Sequence, residues 1–243
     1  MRCFPILLVA LASGACAGAI NAPALGPESL PPARFSISIA TDSTSAAHRV
    51  AAQELVDATL QVITSERFAR NLAGLGKPYQ RIWLSPFGET MSPAGIAQIY
   101  LGRHSTVRPV PIVIKIQEQD TPGQAFNDDS PSTSTIYLPP YVLNRRWRSN
   151  TLEQRSCAVN SLAHEIAHAF SQSPTDGVYI FADGGKGWFM SHFYGPLASY
   201  TIGTVAQCTM LEQADELSDG FAACLRRWGT KEFRSGACDR ATA

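Results

Sequence analysis

Residues 151–170, "TLEQRSCAVNSLAHEIAHAF", decide the fold. Thr151 followed three residues later by Gln154 has the form of a capping box, which is typical of a helix N-terminus. The apolar residues that follow recur at the spacing of one helical face: Val159, Leu162, Ala163, Ile166, Ala167 and Phe170. The stretch therefore predicts a helix with one buried side, and it carries two of the five histidines in the chain.

Within this helix, His164, Glu165 and His168 form a His-Glu-x-x-His motif. Residues four apart lie on the same helical face, so both histidines can direct a ring nitrogen at one metal ion. Glu165 is rotated by about 100° from His164 and can reach a water bound to that ion. Zinc lowers the pKa of its water to about 7, and a carboxylate that takes the proton leaves a hydroxide able to attack a carbonyl carbon. We expect a Zn²⁺ site with Glu165 as the general base; the alternative is an amphipathic helix with two ordinary polar histidines.

A catalytic zinc also needs a third protein ligand, and the acidic stretch "LEQADELSDGFAACL" at 211–225 offers candidates. We expect a second helix over about residues 211–228, on which Asp215 and Asp219 share a face. Asp215 would then bind the metal, and Asp219 would accept the free N–H of a liganding histidine. The alternative is an acidic helix face exposed to solvent.

Composition indicates one globular domain, because 45% of the 243 residues are hydrophobic and 16% are charged. Twenty basic and twenty acidic residues give a net charge of zero, with no long run of either sign. This balance argues against a nucleic-acid partner or an anionic membrane surface, both of which select basic patches. We expect a peptide, protein or small-molecule partner.

The N-terminal stretch "MRCFPILLVALASGACAGA" has the layout of a signal peptide, with one basic residue, an apolar run and then small residues. We expect a signal peptide at 1–17, a proline-rich tether at 18–34 and one domain at 35–243. Ordinary cleavage is favoured over a lipid anchor at Cys16, because Ser13 stands where a lipoprotein box usually has leucine or valine. The protein is expected to be exported, to the periplasm or the medium, without a transmembrane segment in its mature form.

Four cysteines remain after the signal peptide, namely Cys157, Cys208, Cys224 and Cys238. An even number in an exported chain predicts two disulfides. Four cysteines allow three pairings; a bond from Cys224 to Cys238 would close a short loop and leave Cys157 for Cys208. A cysteine-ligated zinc is disfavoured, because no Cys-x-x-Cys spacing occurs.

The predicted elements run strand, helix, several strands, helix and helix, which is an α+β arrangement. We expect a helix over 45–72, and strands at 35–40, 81–84, 110–117 and 134–138.

Three segments in this order resemble the gluzincin metallopeptidases, in particular those similar to the CaaX-type and periplasmic quality-control proteases. "GQAFNDDSPSTSTIYLPPYVL" at 123–143 is similar to the family's edge-strand region, "LAHEIAHAF" at 162–170 to its metal helix, and "DELSDGFAACL" at 215–225 to its third-ligand segment. The resemblance covers roughly residues 123–226. It implies a zincin-like fold with a mixed sheet, an active-site helix and a C-terminal helix that carries the third ligand.

Residue by residue, the resemblance implies His164, His168 and Asp215 as metal ligands. It implies Glu165 as the base and Asp219 as the supporting carboxylate. It also implies that an extended peptide adds as a strand to the backbone near Ala125 and Phe126. The family's third ligand is usually glutamate, which makes Glu216 and Glu212 alternatives to Asp215. A further alternative is Asp176, because "PTDGVY" at 174–179 partly resembles the deuterolysin segment.

Stabilisation of a tetrahedral intermediate normally requires a polar side chain near the metal. His192 and Tyr194, in "MSHFYG" at 190–195, are candidates, with plain packing as the alternative. The expected function is that of an exported zinc-dependent peptidase. The alternative is an exported zincin-fold interaction protein without turnover, which would have no need for Glu165.

Overall fold

The structure is a computed structural model that describes residues 35–41, 45–84, 89–104, 106–118, 126–130, 132–173, 178–181 and 196–229. In chain order the elements are β1 (Ile37–Ile39), α1 (Ala46–Ile63), α2 (Glu66–Ala73), β2 (Ile82–Trp83), β3 (Thr90–Met91), α3 (Pro93–Tyr100), β4 (Arg108–Pro109), β5 (Ile112–Ile116), β6 (Phe126–Ser130), β7 (Thr133–Leu138), a π-helical segment (Val142–Trp147), α4 (Leu152–His168), β8 (Phe170–Ser173), β9 (Val178–Tyr179), α5 (Ala198–Gln213) and α6 (Gly220–Gly229). This mixture of helices and small sheets agrees with the expected α+β class.

The largest sheet has four strands in the order β1-β5-β7-β6. β1, β5 and β7 are parallel, and β6 is antiparallel to β7. Alternate residues of β5 are buried, as a strand with one covered face requires, and Ile114 lies opposite Ile136 of β7. Two smaller sheets pair β2 with β3 and order β4-β8-β9.

Helix α4 runs through the centre of the molecule. It packs against α1, α5, the π-helical segment, β6 and β7. Its N-terminus is where the capping pattern predicts it, because Thr151 Oγ1 accepts a hydrogen bond from the Gln154 backbone N–H at 3.4 Å. The helix ends at His168, since Phe170 is already part of β8.

Helices α4 and α5 are antiparallel. Asn160 of α4 contacts Gln207 of α5, whereas His164, one turn further along α4, lies against Gly203 and Tyr200, which come earlier in α5. Helix α5 was not expected from the sequence. It is buried on nearly all sides and therefore shows no amphipathic period.

Two predicted helices are each broken into two in the structure. The helix expected over 45–72 is divided into α1 and α2, because Ser65 Oγ accepts from the Phe68 N–H and starts a new helix. The helix expected over 211–228 is also wrong as a single element: α5 ends at Gln213 and α6 begins at Gly220. Between them Asp215 has a positive φ of 56°, a left-handed conformation that interrupts the helix.

The disulfide pairing considered from the sequence is wrong. Cys208 bonds Cys224, not Cys157, because the turn after α5 folds α6 back against it and places the two Cα atoms 5.8 Å apart. Cys157 is disulfide-bonded as well, and its partner lies outside the described residues, as does Cys238.

An aromatic group lies in the core beside the end of α4. Tyr100 is fully buried among Phe35, Phe68 and Phe170, with ring centroids 4.9–6.4 Å apart. Burial raises the pKa of the Tyr100 phenol well above its ordinary value, so this side chain stays neutral inside the core. Among the described residues, no helix combines the length and the apolar character needed to cross a bilayer.

Candidate metal centre

The last turn of α4 brings together His164, Glu165 and His168. The Nε2 atoms of the two imidazoles are 3.3 Å apart, and Glu165 Oε1 is 3.9 Å from His164 Nε2. One potential ligand atom from each side chain lies within 4.8 Å of the other two. This cluster could hold a metal ion, and it matches the predicted motif residue for residue.

The distance between the two imidazoles provides a test of that fit. Zinc–nitrogen bonds of about 2.0–2.1 Å at a tetrahedral angle place two ligand nitrogens about 3.3–3.4 Å apart. The observed 3.3 Å between the Nε2 atoms of His164 and His168 therefore suits two ligands of one ion.

The tautomer of His168 also suits metal binding. Its Nδ1 lies 2.8 Å from the carbonyl oxygen of Phe181, which can only accept a hydrogen bond, so Nδ1 carries the proton. In a neutral ring Nε2 then carries the lone pair that can bind a metal, and this atom lies 3.3 Å from His164 Nε2. A hydrogen bond from the second nitrogen to a backbone carbonyl is how proteins usually fix metal-binding histidines.

The cluster is largely enclosed. Glu165 is 6% exposed and His168 is 8% exposed, and their neighbours Ile166 and Ala167 are fully buried. Placing a carboxylate and two imidazoles inside the protein costs solvation free energy. A cation held by the imidazoles beside the carboxylate would offset that cost.

Helix α5 covers the His164 side of the cluster. The ring of Tyr200 lies edge-on to the His164 imidazole, with centroids 4.3 Å apart and planes at 68°. One turn later, Gly203 faces Asn160 and the Cβ of His164. These α5 residues were not predicted from the sequence; the one signal was a glycine within an apolar run, which indicates close backbone packing.

Asp215 and Asp219, the predicted third ligand and supporting carboxylate, do not lie beside the histidine pair. Asp215 follows the C-terminus of α5, and the antiparallel packing returns this part of the chain to the N-terminal end of α4. Asp219 lines a cavity of about 520 Å³ there, together with Leu152. From Leu152 to His164 the rise of α4 amounts to about 18 Å. Asp215 and Asp219 are therefore not neighbours of the histidine pair.

The alternative carboxylates either lie away from the histidine pair or belong to residues that the structure does not describe. Glu212 accepts a hydrogen bond from Asn71 at 2.8 Å, and Glu216 lines the same cavity as Asp219. In the described part of the chain, the metal-capable group contains His164, Glu165 and His168 alone. Four further candidates lie outside the described residues: Ala125, Asp176, His192 and Tyr194.

Phe126 is the first residue of β6, and its backbone pairs with that of Tyr137 in β7. Within the described residues β6 pairs with β7 on one side only, so it forms an edge of the four-stranded sheet. This position agrees with the edge strand that the sequence predicts near residue 126.

Comparison of the chain with protein-family models, with curated proteins and with solved structures found no match in any of the three. The likeness to gluzincins therefore rests on the sequence motifs.

Proposed function

We propose that this protein is an exported zinc-dependent peptidase with its metal centre at the end of α4. The observation that carries the proposal is the 3.3 Å separation of the two Nε2 atoms of His164 and His168, with a buried glutamate beside them. Two imidazoles at ligand distance and a neighbouring carboxylate that can act as a base are among the parts that metal-assisted hydrolysis requires.

The roles of the residues follow from their positions. His164 and His168 would hold the ion through Nε2, and the Phe181 carbonyl would keep the His168 ring in its liganding tautomer. The bound ion would supply a water with a pKa lowered to about 7 and an electrophile for the substrate carbonyl. Glu165, one residue on from His164, would take the proton of that water and return it to the leaving amine.

A peptide is the favoured substrate because of the edge strand. β6 lies next to α4 and leaves one side of its backbone without a partner strand among the described residues. An extended peptide can form backbone hydrogen bonds with such an edge, as in other cases of strand addition. The resemblance to gluzincins supports the same mode of binding.

Export is supported by the cysteines. Cys208 and Cys224 are bonded to each other, and Cys157 is bonded as well. Structural disulfides form and persist in oxidising compartments, so they fit a periplasmic or secreted protein. The signal-like N-terminal sequence agrees with this location.

A second function is a zinc-binding interaction protein without turnover. It is favoured by one observation: apart from Glu165, to which we assign the role of base, the metal-capable group of the described residues contains only the two histidines. Catalytic zinc sites usually have three protein ligands. Measurement of hydrolysis distinguishes this function from a peptidase.

The test is substitution of the proposed base. Glu165→Gln keeps the size of the side chain but cannot accept a proton, so peptide hydrolysis should fall by roughly 100-fold or more. Zinc content should stay at the wild-type level, because Glu165 is not a ligand. Hydrolysis of casein and of a fluorogenic peptide mixture would be measured together with zinc by mass spectrometry. Equal hydrolysis by the two proteins would contradict the mechanism, and zinc without hydrolysis in the wild type would favour the interaction protein.

A further inference from the structure

The two histidines of the cluster are held by different parts of the molecule. His168 is oriented from its Nδ1 by the Phe181 carbonyl at 2.8 Å. His164 is contacted on its ring by Tyr200, which projects from the first turn of α5. Aromatic rings prefer the edge-on orientation, and the short centroid distance of 4.3 Å restricts rotation of both side chains.

Gly203 makes this contact geometrically feasible. A Cβ at this position would lie 2.8 Å from the Asn160 carbonyl oxygen and 3.3 Å from the Cβ of His164, so any larger residue would push α5 away from α4. Asn160 also donates a hydrogen bond to Gln207 Oε1 at 2.7 Å, one turn further along α5. Close approach and hydrogen bond together hold the Tyr200 ring against His164.

We propose that Tyr200 is a positioning residue of the metal centre: its ring fixes the His164 imidazole so that Nε2 stays at ligand distance from His168 Nε2. This inference rests on the proposed metal site. An imidazole that is already oriented loses less conformational freedom when the ion binds, and the affinity for the ion is correspondingly higher. We assign this role to the ring of Tyr200, because the ring makes the contact with His164.

The first measurement is the affinity for Zn²⁺ and Co²⁺ by competition with a chelator. Tyr200→Ala should bind each ion about 10-fold more weakly or worse, the range expected when support of a metal ligand is lost. Tyr200→Phe keeps the ring and should bind like the wild type. Met210→Ala is the matched control, because it also removes a large, partly buried side chain from α5 but lies beyond the Gln207 contact. It should leave the affinity unchanged even if the protein is less stable.

The second measurement uses metal-free protein and follows the exposure and mobility of the His164 imidazole directly. Deuterium exchange at the imidazole C2 carbon, followed by mass spectrometry, should be several-fold faster for His164 in Tyr200→Ala than in the wild type. His48 on α1 serves as the internal reference and should not change.

The outcomes separate the two proposals. Wild-type affinity and wild-type exchange at His164 in Tyr200→Ala would overturn the positioning role, while zinc bound at the histidines would leave the proposed function intact. A loss in Tyr200→Phe as large as in Tyr200→Ala would assign the effect to the hydroxyl and also overturn it. A wild-type protein that binds neither ion would refute the proposed function, and with it the inference that depends on it.

Discussion

His164 and His168 are the residues on which the proposed metal centre depends. Their spacing in the sequence was sufficient to predict that they share a helical face, because the α-helix repeats every 3.6 residues. The tautomer of His168 was not predictable, since the Phe181 carbonyl that fixes it lies 13 residues further along the chain. The sequence was therefore sufficient to place the two histidines together, whereas their orientation depends on the fold.

Loss of both imidazoles should remove the metal. We expect about one zinc per chain in the purified mature protein and almost none in a His164→Ala, His168→Ala double variant, because two ligands are lost at once. His48→Ala is the matched control, as His48 lies on α1 outside the cluster. Zinc content would be measured by inductively coupled plasma mass spectrometry. Near-stoichiometric zinc in the double variant would place the metal elsewhere.

The packing of α5 against α4 positions the His164 side of the cluster. It could not be predicted, because α5 lacks an amphipathic pattern. The helix predicted over 211–228 overlaps only the last residues of α5 and most of α6. Asp215 and Asp219 would share a face only if one helix ran over 211–228. In the structure the positive φ of Asp215 ends that helix, and both aspartates lie at the far end of α4 from His168.

Gly203→Ala tests the close approach of these helices. Overpacking costs about 1–3 kcal/mol, whereas replacing glycine by alanine in a helix gains only about 1 kcal/mol. We expect a net loss of stability and weaker zinc binding, because the Cβ would press against Asn160 and His164. Gly76→Ala is the control, since a Cβ there meets nothing within 4 Å. Urea denaturation would measure the change, and a Gly203→Ala protein as stable as the wild type would show that α4 and α5 are not closely packed here.

The Cys208–Cys224 disulfide acts on the other end of α5. Removing both cysteines as a Cys208→Ala, Cys224→Ala double variant opens a loop with a sequence separation of 16 residues. The expected destabilisation is about 3 kcal/mol. Because Cys208 lies about 12 Å along the helix from Tyr200, the folded variant should retain its zinc. Denaturation curves and zinc content would be measured on the same preparation. Loss of zinc without loss of stability would show that zinc binding depends on the disulfide, and would contradict this prediction.

For the whole molecule, the central claim is one zinc ion between two imidazoles of a buried helix, beside an edge strand that can receive a peptide. Local patterns were sufficient for the α+β class, for α4 and for β5 and β7, because each has a clear helical or strand period. Long-range packing decided the rest: the order of the strands, the pairing of Cys208 and the cover that α5 provides.

The measurement that tests this claim most directly is a zinc anomalous difference map from a crystal of the mature protein. We expect one strong peak within about 2.1 Å of Nε2 of both His164 and His168, with Glu165 beside it and outside the coordination sphere. The same map would identify the third ligand. A zinc peak at Asp215 and Asp219, or no peak at the histidine pair in zinc-supplemented crystals, would contradict it.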